Sequence, residues 1–465
     1  MKQVEQVELD NYQHDIINFI AEKKRCALWV GCGLGKTLTV LTAFSKLKQE
    51  NETMLVVAPL KIANDVWFSE IEKWLHLKNL SYSIVTGAAS KREKAIQKKA
   101  DIYIINIENV VWLLEHKRVF NWLVVDESTS IKNYTSKCFI ALSGYKHFVN
   151  YSNRKIRTGI KSDYCILLSG TPTPQGLIDL YSQIYLLDKG QRLGKTMTEF
   201  RDTYFYFDER KYKYTIKSSF AQKAIYNKVK DVTLSLETED YITLPQKTEI
   251  TIRFDYSMSK YKKFFKEKVL EIGEQNITAK NAGVLTGKLM QFCNGFVYDN
   301  NKNSVHIHDE KINALKKIVK KHKDENIIVV YFYNEDLNML LRHFPDAVVL
   351  TSTDEKELWN YGSIKMLLCQ QMSVSEGFNL QDGGNIIVWF SLTFDYKTYT
   401  QMNARIYRRG QEKDVTIYRL AMSQGKDEDA IRAIENKGNK MVDFLRYLKD
   451  DIKKMFQKTT TKNIK

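Results

Sequence analysis

Trp29-Val-Gly-Cys-Gly-Leu-Gly-Lys-Thr37 is the stretch that decides the fold of this chain. The apolar run Cys26–Val30 predicts a buried strand before the loop, and apolar spacing over Leu38–Lys48 predicts a helix after it. A strand, a glycine loop, a Lys-Thr pair and a helix are the parts of a phosphate-binding loop. We expect Lys36 to neutralise the β- and γ-phosphate oxygens and the Thr37 hydroxyl to bind Mg²⁺.

The glycines of this loop are Gly31, Gly33 and Gly35. Glycine lets backbone N–H groups approach a phosphate without a clash of side chains. The usual pattern places its first glycine where this chain has Val30, so the glycine is displaced by one residue, to Gly31. The alternative interpretation is a flexible glycine turn between strand and helix, and partners elsewhere in the chain decide between the two.

A pair of carboxylates follows another predicted strand. The apolar run Trp122–Val125 leads directly into Asp126 and Glu127. We expect Asp126 to hold Mg²⁺ through its water shell and Glu127 to polarise the attacking water. An acidic turn after a strand is the plainer alternative, but Lys36 and Thr37 upstream make it a poor explanation.

Strands and helices alternate through this half of the chain. Further strands are predicted over Met54–Pro59, Ser83–Thr86, Ile102–Ile107 and Tyr164–Ser169. The alternation predicts an α/β fold with a doubly wound parallel sheet, which binds its ligand at the carboxyl ends of the strands. Gln13 follows Tyr12 at the start of a helix before the glycine loop, where an amide can bind an adenine edge. Trp67 and Trp74 have helical spacing and are assigned to helix packing.

A second α/β pattern begins at Lys311 and has no phosphate loop of its own. Its strands are predicted at residues 326–332, 347–350, 365–370, 385–390 and 415–420. Between the two patterns strong strand signals become sparse, and helices are predicted over Tyr256–Ile272 and Ala279–Phe292. The sequence therefore predicts two parallel-sheet lobes separated by a helical segment.

Two stretches of the second lobe carry candidate site residues. Ser375–Leu380, which contains Gly377, joins a strand to a turn. Gln401–Gln411 is predicted to begin on a helix, where Arg405 and Arg408 share a face because they are three residues apart. Two forked cations on one face suit a terminal phosphate that is bound elsewhere. A basic surface helix is the alternative.

The charge of the chain indicates a polyanionic partner. The net charge is +16 over 465 residues, and nucleic acid is the commonest partner of such a protein, although solubility alone is the alternative. The six cysteines include no C-x-x-C pair, which argues against a disulfide framework or a zinc site and fits a reducing compartment. The charged start of the chain and the lack of long apolar runs argue against a signal peptide and a membrane span.

In their order along the chain, these motifs resemble those of the Swi/Snf-type ATPases among the superfamily-two helicases. The matching stretches are Gly33–Thr37, Asp126–Glu127 with Ile131–Asn133, Leu168–Pro172 with Leu177, Asp179 and Leu180, Leu289–Asn294, and Gln401–Gln411. The Asp-Glu-Ala-His box of the family is Asp126-Glu-Ser-Thr129 here. The aspartate before the first arginine of the family's arginine-finger motif is Ala404 here.

The resemblance implies two tandem RecA-like lobes with a helical insertion between them, at residues 1–189, 190–304 and 305–465. It implies ATP and Mg²⁺ as cofactors, and translocation on double-stranded DNA without strand separation as the activity. The nucleotide-binding residues implied are Gln13, Gly31, Gly33, Gly35, Lys36, Thr37, Gly377 and Gln401. The catalytic residues implied are Lys36, Asp126, Glu127, Arg405 and Arg408, the last two acting from the second lobe.

Two other functions stay open at this point. One is a strand-unwinding helicase that acts on DNA or RNA, and the other is a non-motor nucleic-acid-binding protein with ATP as a conformational ligand. Aromatic and basic residues interleave from Phe200 to Phe220, which suits either stacking on nucleic acid or a packed helical insert with a solvated lysine face. We expect a cytoplasmic monomer of a bacterium or a virus-infected cell, with a separate nuclease or a replication or recombination protein as its partner.

Overall fold

Parallel strands form the two large sheets of this protein, whose structure is a computed structural model. It describes residues 8–145, 159–209, 212–272, 275–279, 281–371 and 378–462. The strands are β1 Arg25–Val30, β2 Met54–Ala58, β3 Tyr82–Val85, β4 Ile102–Asn106, β5 Trp122–Val125, β6 Tyr164–Ser169, β7 Phe205–Asp208, β8 Lys213–Ile216, β9 Thr233–Leu236, β10 Lys247–Phe254, β11 Val269–Ile272, β12 Gln275–Thr278, β13 Phe296–Tyr298, β14 Ser304–His306, β15 Ile327–Tyr331, β16 Val348–Val349, β17 Met366–Gln370, β18 Ile386–Trp389 and β19 Val415–Met422.

The helices lie between these strands, as the alternating pattern predicts. They are α1 Asn11–Lys23, α2 Lys36–Leu47, α3 Leu60–Asp65, α4 Trp67–Lys73, α5 Ala89–Gln97, α6 Val110–Leu113, α7 Lys137–Ser143, α8 Leu180–Asp188, α9 Met197–Tyr204, α10 Ser219–Val229, α11 Met258–Glu267, α12 Ala282–Asn294, α13 Glu310–Lys321, α14 Asn334–His343, α15 Thr353–Asn360, α16 Tyr396–Asn403 and α17 Lys426–Lys462. Among the described helices, none has the length and apolarity that crossing a bilayer requires.

The chain divides into two units. Unit 1 comprises residues up to Ile242 together with those from Asn439 onwards, and unit 2 is Thr243–Gly438. The last helix returns the chain to unit 1, where the Phe444 ring packs against Trp29 with a centroid separation of 5.2 Å. This division differs from the three segments predicted from the sequence, because the segment 190–304 is shared between the units rather than separate.

Unit 1 contains a seven-stranded parallel sheet in the order β3-β4-β2-β5-β6-β1-β9. Its central strands are continuous apolar runs because helices cover both faces, and every residue of β2, β4 and β5 is buried. Trp122 on β5 stacks on Tyr164 of β6, with ring centroids 3.7 Å apart. Since β5, β6 and β1 are adjacent and parallel, the loops that follow them meet at one edge of the sheet.

Unit 2 contains a six-stranded parallel sheet in the order β10-β19-β18-β15-β17-β16. A fully buried ion pair holds its helices together: Lys311 Nζ on α13 lies 2.9 Å from Asp427 Oδ2 on α17. The same ammonium donates to Asn294 Oδ1 on α12 at 2.7 Å. Removal of one partner of such a pair typically costs about 3–5 kcal/mol of stability, because the other charge stays buried.

The segment predicted to be mostly helical supplies an edge strand to each sheet. β9 pairs with β1 in unit 1, and β10 pairs with β19 over eight residues in unit 2. The four residues of β9 are too few to show a strand pattern, and β10 is a half-exposed edge strand with Lys, Glu and Arg in it. The helix predicted over Tyr256–Ile272 is wrong beyond Glu267, because Lys268 adopts a left-handed conformation with φ 58° and a β11–β12 hairpin follows.

Candidate active site

The glycine loop, residues 31–35, joins the end of β1 to the start of α2, as the sequence predicts. Gly33 and Gly35 have φ angles of 85° and 68°, in the left-handed region that favours glycine. The Lys36 ammonium donates hydrogen bonds to the carbonyl oxygens of Val30, at 2.9 Å, and Gly31, at 3.1 Å. The ammonium is thus held over the loop, at the N-terminal end of α2, where a helix favours an anion. Thr37 follows it in the first turn of α2.

The displaced glycine of the loop is explained by a close neighbour. A Cβ atom at Gly31 would lie 2.2 Å from the Thr238 Oγ1 atom, which belongs to the turn after β9. The Gly31 N–H donates to the Leu236 carbonyl at 2.9 Å, and the Thr238 hydroxyl donates to the Cys32 carbonyl at 3.0 Å. Glycine is therefore required at position 31 because β9 and its turn pack directly on the loop.

Gln13 on α1 also lies against the loop. A Cβ atom at Gly35 would come 2.7 Å from its Nε2 atom. The Gln13 Nε2 donates to Thr39 Oγ1 at 3.2 Å, and its Oε1 accepts the Asp10 backbone N–H at 3.0 Å. The amide therefore links α1 to α2 within the chain, and its contact with an adenine edge stays a prediction.

Asp126 and Glu127 follow β5 at the same edge of the sheet. Asp126 is buried, and its Oδ2 accepts a hydrogen bond from the Trp67 indole N–H at 3.0 Å, while its Oδ1 accepts from the Glu127 backbone N–H at 3.0 Å. Burial, and then the neighbouring charge of Glu127, raise the pKa of Asp126 to about 6, whereas the Trp67 hydrogen bond and the charge of Lys36 act in the opposite direction. The carboxylate and the Lys36 ammonium are therefore close enough to interact.

Glu127 has a left-handed backbone conformation, with φ 53°. Such a conformation is costly for a residue with a side chain, and it is found at active sites as well as at helix ends, where Lys189 and Lys268 adopt it in this chain. The Glu127 carboxylate is still near enough to Asp126 for its charge to raise the pKa of that carboxyl.

The third motif loop, Ser169–Pro172, packs against the glycine loop. A Cβ atom at Gly170 would lie 3.6 Å from the Val30 carbonyl oxygen and 3.7 Å from Cys32 Sγ. Within this loop the Thr171 N–H donates to Ser169 Oγ at 3.1 Å. The loops after β1, β5 and β6 thus form a single site in unit 1.

A buried glutamine joins the third motif loop to the loop after β5 that carries Asp126 and Glu127, which we call the acidic loop. Gln183 on α8 accepts a hydrogen bond from the Ser128 hydroxyl at 2.7 Å. Its amide nitrogen donates to the carbonyls of Pro172 at 2.8 Å and Asp179 at 2.9 Å. Ser128 and Gln183 are both fully buried. We call this set of three hydrogen bonds the Gln183 bridge.

Unit 2 carries the predicted arginines in a turn rather than on a helix. α16 ends at Asn403, so the prediction that Arg405 and Arg408 share a helix face is wrong. Contacts outside the helix fix the turn that follows it. The Arg405 carbonyl accepts a hydrogen bond from the Leu380 N–H at 3.0 Å instead of continuing the helix, and Ile406 is fully buried. The Arg408 guanidinium donates to Asn379 Oδ1. Gln401 lies on α16, and Gly377 is outside the described residues.

Three site residues escaped the sequence reasoning: Trp67, Gln183 and Thr238. Full burial confirms the packing role that the sequence predicts for Trp67, and its indole N–H also donates to Asp126. The sequence does give one signal for this bond, because the indole N–H of a buried tryptophan usually donates to an acceptor. For Gln183 the signal was Ser128, which replaces the alanine of the Asp-Glu-Ala-His box. A buried hydroxyl needs a hydrogen-bond partner, and Gln183 is that partner. Nothing in the local sequence marks Thr238.

Comparison with known proteins identifies the class of this enzyme. The family model described as the SNF2-related domain matches residues 12–304, which is more than half of the chain. Protein p41 of Acyrthosiphon pisum secondary endosymbiont phage 1 is 34% identical over 445 residues, which cover 90% of this chain and 93% of p41. The chain belongs to the SNF2-related family and is an ATP-hydrolysing, helicase-like enzyme.

More distant relatives are longer proteins. The ATP-dependent helicase MG018 of Mycoplasma genitalium is 23% identical over 88% of this chain and 39% of its own length. The transcription regulatory protein SNF2 of Saccharomyces cerevisiae is 23% identical over 85% of this chain and 25% of its own length. A solved SWI2/SNF2 ATPase core from Sulfolobus solfataricus in complex with dsDNA is 20% identical, with a TM-score of 0.45 over 95% of this chain and 97% of that chain. The chain thus spans less than half of the two longer relatives.

Proposed function

We propose that this protein is a nucleic-acid-stimulated ATPase that moves along double-stranded DNA without separating the strands. One observation carries the proposal: Lys36, Asp126 and the third motif loop meet at one edge of the unit 1 sheet, in a chain of the SNF2-related family. The net charge of +16 supports a polyanionic track, and the family resemblance favours double-stranded DNA.

ATP binding is assigned to the glycine loop. Its backbone N–H groups and the Lys36 ammonium would bind the phosphates, and Lys36 would exchange its present bonds to Val30 and Gly31 for phosphate oxygens. The donor set suits Mg²⁺, because this ion prefers oxygen ligands: the Thr37 hydroxyl would bind it, and the Asp126 carboxylate would hold it through its water shell. Bound there, Mg²⁺ would neutralise charge on the phosphates.

Water activation is assigned to Glu127. It follows Asp126 directly at the end of β5, and a carboxylate can accept a proton from, or orient, the attacking water. We assign Arg405 and Arg408 of unit 2 to stabilising the charge that develops on the transferred phosphoryl group, as the resemblance to the arginine-finger motif implies. Nucleic acid would then accelerate hydrolysis by favouring the conformation in which these arginines reach the nucleotide.

Triplex displacement separates this function from unwinding. A third strand bound in the major groove is removed by a motor that passes along the duplex, whereas a forked duplex reports on strand separation. We expect ATP-dependent removal of the third strand with the fork left intact, and no removal by Lys36→Ala. Release of the forked strand would instead establish the helicase alternative. ATP turnover that is the same with and without DNA would contradict the motor altogether.

A further inference from the structure

A β-hairpin of unit 1, β7–β8, presents three aromatic rings to solvent. Strand pairing places Phe207 opposite Tyr214, on the same face of the hairpin, and Tyr212 lies near them. The centroid of the Phe207 ring is 5.3 Å from that of Tyr212 and 5.2 Å from that of Tyr214. Phe207, Tyr212 and Tyr214 are 42%, 85% and 36% exposed. We call these three residues the aromatic face.

The base of the hairpin explains why the aromatic face is held in place. Phe205, at the start of β7, is buried and packs on the fully buried Phe200 of α9, with ring centroids 5.2 Å apart. The Lys217 backbone N–H donates to the Tyr204 carbonyl at 2.9 Å. The strands are thus fixed to α9 at one end, while the rings beyond them stay in solvent. Exposed apolar side chains that cluster in this way often mark an interaction site, whereas single exposed ones do not.

A guanidinium packs on one ring of the aromatic face. The Arg201 guanidinium lies 4.3 Å from the centroid of the Tyr214 ring, which is the geometry of a cation–π contact. The exposed Lys213 and Lys217 add positive charge to the hairpin, with Lys213 on its opposite face because it alternates with Tyr214, and with the Lys217 ammonium donating to the Asp202 carbonyl. Rings combined with Arg and Lys favour an anionic ligand that carries flat groups. Nucleic acid with unpaired bases provides both, because its bases stack on rings and its phosphates attract the cations.

We propose that the aromatic face binds unpaired nucleotides of single-stranded DNA by stacking. The inference rests on the proposed function, in that it assumes a nucleic-acid partner, but it assigns a second type of contact beyond the duplex track. Paired bases within a duplex expose only their edges, so the three rings require a gap, a flap or an end. The Arg201 guanidinium also lies 5.4 Å from the Tyr134 ring, in the segment that follows Asp126 and Glu127. Arg201 therefore contacts both the aromatic face and the segment that follows the acidic pair.

Binding of fluorescent oligo-dT by the full chain tests the proposal. Fluorescence anisotropy would compare the wild-type protein with the double variant Phe207→Ala/Tyr212→Ala. Since stacking on one ring changes affinity by about tenfold or more, we expect the double variant to bind oligo-dT at least tenfold more weakly. Tyr212→Trp, which keeps a ring, should retain wild-type affinity. Phe220→Ala is the matched control, because Phe220 is 82% exposed but lies on α10, outside the hairpin.

Duplex DNA binding and duplex-stimulated ATPase activity of the same variants are measured as a separate test. The double variant should keep both its affinity for a blunt duplex and its duplex-stimulated ATPase rate, which also shows that it is folded. Unchanged oligo-dT affinity in the double variant, or an equal loss in Phe220→Ala, would overturn the aromatic-face proposal. A wild-type protein whose ATPase ignores duplex DNA would overturn the proposed function instead, so the two failures are distinguishable.

Discussion

The Gln183 bridge gives the sharpest prediction about the site, because each of its bonds is buried. Gln183→Leu keeps the approximate volume of the side chain but removes one acceptor and two donated bonds, at 2.7, 2.8 and 2.9 Å. Each bond contributes about 1 kcal/mol net, so we expect the free energy of unfolding to fall by roughly 3 kcal/mol. Chemical denaturation of the full chain, followed by tryptophan fluorescence, would measure this.

A double-mutant cycle isolates the bond between Ser128 and Gln183. Ser128→Ala leaves the Gln183 amide oxygen without this donor, and Gln183→Leu leaves the Ser128 hydroxyl without its acceptor. The double variant removes both groups, so its loss of stability should be smaller than the sum of the single losses by about 1 kcal/mol. Gln175→Leu, at an exposed position between the third motif loop and α8, is the control and should change stability by less than about 0.5 kcal/mol.

The bridge should also affect catalysis, because it fixes the third motif loop relative to the acidic loop. We expect Gln183→Leu to lower kcat for ATP hydrolysis, with a smaller change in KM because the glycine loop keeps its own contacts. Strict additivity in the cycle, or wild-type stability of Gln183→Leu, would refute the reasoning.

Three further predictions concern the motor. Glu127→Gln keeps the shape of the side chain but weakens its action on water, so it should bind ATP and DNA normally while single-turnover hydrolysis falls; a wild-type rate would exclude Glu127 from that role. Arg408→Ala should reduce turnover by roughly 10³-fold with little change in nucleotide affinity, whereas the exposed Arg409→Ala should not; loss of DNA binding instead would make this turn a nucleic-acid surface. Affinity for duplex DNA should fall about 10³-fold between roughly 50 and 200 mM salt for about six phosphate contacts; a flat response would assign the +16 charge to solubility.

Much of the fold could be predicted from the sequence, because buried parallel strands are continuous apolar runs. β5 and β6 begin and end within a residue of their predicted positions, and the loops that follow carry the motifs. Edge strands β9 and β10 were not predicted: β9 is short, and the first half of β10 is polar, although the alternation over Ile250–Phe254 is itself a strand signal. Their pairing depends on neighbours that are distant in sequence.

The site residues could likewise be predicted only where a local motif fixes their positions. Lys36 and Asp126 could be placed from the local motif, because a phosphate loop and a strand end fix them. Trp67 and Gln183 act through hydrogen bonds to residues 59 and 55 positions away, and such partners are visible only once the chain is folded. The turn that holds Arg405 could not be predicted for a similar reason. α16 ends at Asn403, and the Arg405 carbonyl accepts a hydrogen bond from the N–H of Leu380, which is distant in the sequence.

The rate of ATP hydrolysis, measured with no nucleic acid and with matched single- and double-stranded DNA and RNA, tests the central claim most directly. Lys36→Ala serves as the control for contaminating ATPases, because it removes the ammonium that the loop holds over the phosphate site. We predict a low basal rate, the strongest stimulation by double-stranded DNA, and no turnover by Lys36→Ala under any condition. A wild-type rate that is identical with and without every nucleic acid would contradict the account.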